Sequence, residues 1–132
     1  MPATSETRSE TLQGIGQIAV NVQDVERAVA FYRDALGLRF LFQAPPALAF
    51  FDCGGVRLML DRAEAPEFDH ASSVLYFRVQ DIAAAHERLS ARGVPFRDAP
   101  HKIADMPDHE LWMTFFQDTE GNTHALMAEV RK

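Results

Sequence analysis

The 132-residue chain is 47% hydrophobic and 24% charged, the balance of one ordinary globular domain and not of a disordered or fibrous chain. Thirteen basic against nineteen acidic residues give a formal charge of -6, which repels phosphate backbones and argues against nucleic acid as a partner. The single Cys53 excludes an internal disulfide, and no stretch approaches the roughly 20 apolar residues of a membrane-crossing helix.

Residues 1–13 are polar where a signal peptide needs an apolar block, so they are expected to be a disordered leader on a cytoplasmic protein. Ile18-Ala19-Val20-Asn21-Val22-Gln23-Asp24-Val25 follows, and it recurs in type 57 positions later as Leu75-Tyr76-Phe77-Arg78-Val79-Gln80-Asp81-Ile82. Alternating apolar residues predict a half-buried strand in each copy, and Asp24 and Asp81 stand where a helix N-cap belongs. Val25, Ala28, Val29, Tyr32 and Leu36 form one apolar helical stripe, and Ile82, Ala85 and Leu89 form the other. Gly37 and Gly93 are placed to end these helices.

Strands are then expected at Leu38–Phe42, Leu48–Asp52 and Val56–Asp61, and again at Val94–Arg97, Leu111–Gln117 and Thr123–Val130. Each half therefore reads βαβββ, with its last two strands joined by a tight turn at Cys53-Gly54-Gly55 or Asp118 to Asn122. The segment Pro100–Trp112 is long for a hairpin connection and reads as an ordered binding loop or lid. It concentrates His101, Asp105 and His109, a weak metal-binding spacing that a solvated loop explains better. Residues 14–132 read as one α+β domain of two tandem modules, about 14–65 and 72–130.

The repeat, the motif Asp-x-x-x-Ala-x-x-Phe-Tyr-x-x-x-Leu-Gly spanning Asp24 to Gly37, and Asp118-x-x-Gly121-Asn122 resemble the vicinal oxygen chelate superfamily. That superfamily includes glyoxalase I, bleomycin-resistance proteins and extradiol dioxygenases. The resemblance covers roughly residues 14–130 and implies an open, bowl-like mixed sheet barrel with helices on its outside. It also implies a homodimer, in some relatives with halves exchanged so that one bowl draws on two chains. Metal-dependent members place two ligands per half, on the first and last strands. Transferred by position, those places hold Gln17, Met59, Val74 and Ala125, one neutral amide, one thioether and two hydrocarbons. A hard divalent ion needs several anionic or imidazole donors, so no metal and no other cofactor is expected, and no catalytic residue is assigned.

If those positions face the bowl, strand alternation places Asn21, Arg57, Tyr76, Arg78 and Met127 on the same face, while Ile18, Val20, Leu58, Phe77 and Leu126 pack under the helices. Apolar walls with a few convergent polar groups suit a small organic ligand, and Arg57 and Arg78 suit an anionic group on it. The expected binding set is Gln17, Asn21, Arg57, Met59, Tyr76, Arg78, Trp112, Ala125 and Met127, with Trp112 as a stacking surface or, alternatively, an ordinary core residue. The competing expectation is a metal-dependent lyase, epimerase or dioxygenase that uses displaced ligands such as His124, Glu129 or the loop histidines. Acid-base chemistry by Tyr76, Asp61 or Glu129 is a third. His124 shares the helix-facing parity of Leu58 and is expected to be structural.

Overall fold

The computed structural model describes residues 11–132, so most of the expected leader lies outside the described residues. The chain forms strands β1 (Gln17–Asn21), β2 (Arg39–Ala44), β3 (Leu48–Cys53), β4 (Val56–Asp61), β5 (Leu75–Arg78), β6 (His101–Asp105), β7 (His109–Gln117) and β8 (Thr123–Arg131). Helix α1 (Val25–Ala30) continues as a π-helical turn over Phe31–Ala35, and α2 spans Ile82–Ala91. The α+β class holds, as two four-stranded mixed sheets ordered β1-β4-β3-β2 and β5-β8-β7-β6. In each, the first strand runs parallel to the last and the remaining pairs are antiparallel.

The caps act as their chemistry dictates. Asp24 accepts the Arg27 N–H and Asp81 the Ala84 N–H, both at 3.0 Å, which satisfies an amide that has no partner inside a first helical turn. Gly37 and Gly93 follow the helices with φ of 76° and 93°, a left-handed backbone that a side chain would strain.

Each helix packs on the apolar face of its own sheet, and the two halves share one core. Val20, Phe51, Leu58 and Leu60 of the first sheet and Phe116, Leu126 and Ala128 of the second all belong to it. Tyr32 bridges the sheets, its ring 6.0 Å from Phe51 and 6.1 Å from His124. No backbone hydrogen bond joins the sheets among the described residues, so the assembly stays open at the edges of β1 and β5.

Two expectations for the second half are corrected. Val94–Arg97 is not a strand, since Pro95 lacks an N–H and only one bridge, Phe96 to Phe116, forms there. The sixth strand lies at His101–Asp105 instead, inside the segment expected to be a lid, and it pairs with β7 through an irregularity between Lys102 and Ala104. A strand with one edge bonded along its length is sheet, not a mobile cover. No helix is long and apolar enough to cross a membrane among the described residues.

Candidate functional site

Strand register decides which side chains share a face. On the first sheet, Gln17 pairs with Arg57, Ala19 with Met59 and Asn21 with Asp61, so Gln17, Asn21, Arg57 and Met59 lie on the face away from the core. Phe50 pairs with Met59 and Phe42 with Phe50, which adds two aromatic rings with centroids 4.8 Å apart. The Arg57 guanidinium stands 5.7 Å over the Phe50 ring. Gln17 Nε2 donates to Met59 Sδ at 3.6 Å, so these two residues meet as expected from the repeat.

On the second sheet Tyr76 pairs with Ala125 and Arg78 with Met127, again away from the core. Phe115 pairs with Ala125, and its ring lies 6.1 Å from Tyr76 in an edge arrangement. Trp112 stands apart from the other eight residues. It pairs with Ala128, packs against the core, and donates its indole N–H to Glu110 at 3.0 Å. One position of parity separates it from Met113, which shares the face of Met127.

The structure thus makes two separate groups, Gln17, Asn21, Arg57 and Met59 on one sheet, and Tyr76, Arg78, Ala125 and Met127 on the other. No hydrogen bond, ion pair or ring contact links them among the described residues. Both faces are open: Phe42 is 47% exposed and Tyr76 is 48% exposed. Asn21 donates to Asp69 Oδ1 and to the His70 carbonyl, and its own Oδ1 is buried without a partner among the described residues. Burial also pushes the carboxyl of Asp61, its cross-strand neighbour, above the usual carboxylate range, with the charge of Glu64 adding to the effect.

The residues present do not fit the superfamily's divalent ion. Met59 offers sulfur already approached by the Gln17 amide, Ala125 is fully buried hydrocarbon, and Val74 has no donor. The displaced ligands do not gather either: among the described residues no three His, Cys, Asp or Glu side chains cluster suitably. His101 and Asp105 occupy opposite ends of β6, and His109 Nε2 stands 4.0 Å from Glu129.

His124 is fully buried on the core face, as its parity implies. Its Nδ1 faces the Leu75 N–H at 3.4 Å and its Nε2 lies 2.8 Å from the Tyr32 hydroxyl, which itself donates to Asp118 Oδ2 at 2.6 Å. This chain of bonds assigns the proton to Nε2. Burial lowers the imidazole pKa against the opposing charge of Asp118, so the ring is neutral near pH 7 and serves packing.

Tyr76, Arg78 and Met127 also border a cavity of about 600 Å³ between the halves, which none of Gln17, Asn21, Arg57 and Met59 lines. Its first-half walls are Leu36, Leu38, Cys53 and Gly54. Sequence reading missed these residues because the strand parity that led to the open faces carries no information about the gap between two modules.

The family model for the "Glyoxalase/Bleomycin resistance protein/Dioxygenase superfamily" matches residues 14–126. This chain belongs to that superfamily. A glyoxylase-like domain-containing protein of Didymella fabae is 30% identical over 127 residues, covering 85% of this chain and 91% of the relative. Among solved structures, a lactoylglutathione lyase from Agrobacterium tumefaciens has a TM-score of 0.69 at 24% identity, covering 89% of this chain and 94% of that one. An antibiotic binding protein from a Streptomyces species reaches 0.71 at 24% identity, covering 92% and 99%. At such identity these structures share the fold, and a superfamily fold hosts several chemistries.

Proposed function

We propose that this superfamily member binds a small organic molecule carrying an anionic group, without a divalent metal. The observation that carries the reading is the donor set at the four superfamily ligand positions, an amide, a thioether and two hydrocarbons, set in faces that mix aromatic rings with arginine. Such a surface lacks the Lewis acid of a metal-dependent lyase or dioxygenase but retains the apolar walls and fixed polar groups of a binding site. The antibiotic-binding relative is a precedent for binding within this fold.

Because one chain holds its two candidate faces apart, the reading includes a homodimer in which the Gln17–Met59 face of one copy and the Tyr76–Met127 face of its partner enclose the ligand. The open edges of β1 and β5 support this pairing, since unpaired strand edges seek partners. The acidic balance supports a location and partners away from nucleic acid, and we place the protein in the cytoplasm.

Light scattering on the purified protein, followed by calorimetric titration with bleomycin and with a panel of aromatic carboxylates, tests the reading. A dimer that binds one of these compounds, and loses it in Met59→Ala, supports the proposal. A monomer would remove the composite site. Stoichiometric nickel, zinc, manganese or iron, lost in Gln17→Ala, would favour the metal-dependent enzyme instead.

A further inference from the structure

The two modules repeat in sequence, yet the seams where each hairpin meets the opposite half are not alike. At the first seam the β7–β8 hairpin closes over β1 and α1. Asn122 Nδ2 donates to the Asn21 carbonyl at 3.0 Å, Ser72 Oγ accepts the Asn21 N–H at 2.8 Å, and Tyr32 fills the space beneath with its hydroxyl on Asp118. Tyr32 is fully buried and Asp118 nearly so, so this seam is solid.

The second seam carries the repeat equivalents of those residues. Tyr32 becomes Leu89 and Asn21 becomes Arg78, each 57 positions on. The first residue past the closing strand pair, Asp118 beyond Gln117 and Thr123, becomes Gly54 beyond Cys53 and Val56. A phenol that reaches a carboxylate is thus replaced by a shorter hydrocarbon facing a residue with no side chain. A Cβ built on Gly54 meets nothing within 4 Å among the described residues. The result is the cavity of about 600 Å³, inside the about 300–1,000 Å³ common for small-molecule pockets.

Its chemistry is specific. Leu38, Leu89, Phe116 and Leu126 make the interior apolar, and Phe77 and Phe116 stand with ring centroids 6.4 Å apart and planes 28° apart. At the rim, Arg78 has no carboxylate partner among the described residues. The Val79 N–H bonds the Met127 carbonyl, so by strand alternation the backbone groups of Arg78 point away from β8. We infer that this within-chain seam is a ligand site for a compact ring compound bearing a carboxylate, the ring lying against the half-buried Leu38 and Phe77 beside Leu89 and the carboxylate on Arg78. It shares Arg78 with the composite site proposed above but needs neither Gln17, Met59 nor a second copy.

The probe is 2-naphthoate, titrated into the full chain while backbone amide shifts are recorded. The expected result is saturable shifts at Gly54, Arg78 and Leu89, a loss of affinity of at least tenfold in Leu89→Trp, and about tenfold weakening in Arg78→Gln. Cys53 gives a readout on the unmutated protein: naphthoate should slow its alkylation by a maleimide severalfold. Unchanged binding in a folded Leu89→Trp, or shifts confined to Gln17, Phe42 and Met59, would overturn the assignment, and the latter result would leave the outer-face reading standing. Should Leu89→Trp not fold, undiminished Cys53 alkylation at saturating naphthoate would overturn it equally.

Discussion

The Tyr32 hydroxyl lies 2.6 Å from Asp118 Oδ2, a bond spanning 86 residues that ties the helix of the first module to the last hairpin of the second. Burial and the neighbouring Asp118 carboxylate hold the phenol protonated, so it donates to the carboxylate and accepts from His124 Nε2. Tyr32→Phe leaves the His124 donor unsatisfied in a fully buried site, although Asp118 keeps the Asn122 amide. The expected loss is about 1–3 kcal/mol in urea unfolding, the cost of stranding a buried donor. A change below about 0.5 kcal/mol would show that the network adds nothing beyond packing.

Glu120 makes the second tie between halves. Its Oε1 accepts the N–H groups of Gln23 and Asp24 at 2.9 and 3.0 Å, and Arg27 Nε donates to Oε2 at 2.8 Å. Burial alone would raise its pKa, but the bonds from Arg27, Asp24, Thr119 and Gln23 outweigh it and hold the carboxyl near about 2, against an ordinary 4.5. A depressed carboxyl pKa means that the unfolded chain takes the proton first as pH falls. Stability from this group is therefore complete above about pH 4.5 and is lost progressively toward pH 2. Glu120→Gln should flatten that part of the stability curve and cost about 1–3 kcal/mol at pH 7, read by denaturant titration at a series of pH values.

His124 acts at a higher pH with the same sign. Its folded pKa lies below the ordinary 6.5 because burial disfavours the imidazolium, so the unfolded state binds the proton first as pH drops. The contribution is whole above about pH 6.5 and declines below it until the folded pKa is passed. His124→Gln should remove that decline in thermal unfolding followed from pH 7 to 5. A slope identical to the parent's would assign the acid sensitivity to other groups.

Chelation gives a direct check on the ligand positions. Overnight dialysis against EDTA should leave the melting temperature and the binding of any identified compound unchanged, because Gln17, Met59, Val74 and Ala125 hold no anionic donor. A fall of several degrees, reversed by one added divalent metal, would show that a site exists elsewhere in the chain and would revive the enzyme reading.

Much of the fold was legible in advance. Period-two alternation placed β1, β4, β5 and β8 and their inward and outward faces, and the Asp caps and left-handed glycines marked both helices, since these are local properties of backbone and side chain. The errors arose where local pattern was ambiguous. Val94–Arg97 has strand composition, but Pro95 withholds a donor, and the pairing energy goes to His101–Asp105. Composition alone left Trp112 as either a stacking surface or a core residue, and register with Ala128 turns it toward the core.

The chain by itself determined the repeated βαβββ unit, the parity of β1, β4, β5 and β8 and the absence of superfamily metal donors, because each follows from residue type and spacing within a few positions. Only the tertiary structure decided how the halves meet. Glu120 on Arg27, Tyr32 on Asp118, the distance between the two open faces and the vacancy beside Leu89 depend on residues brought together across half the chain or more. Spacing fixes the direction in which a side chain leaves its strand, but what stands opposite is set by the packing of one module on the other.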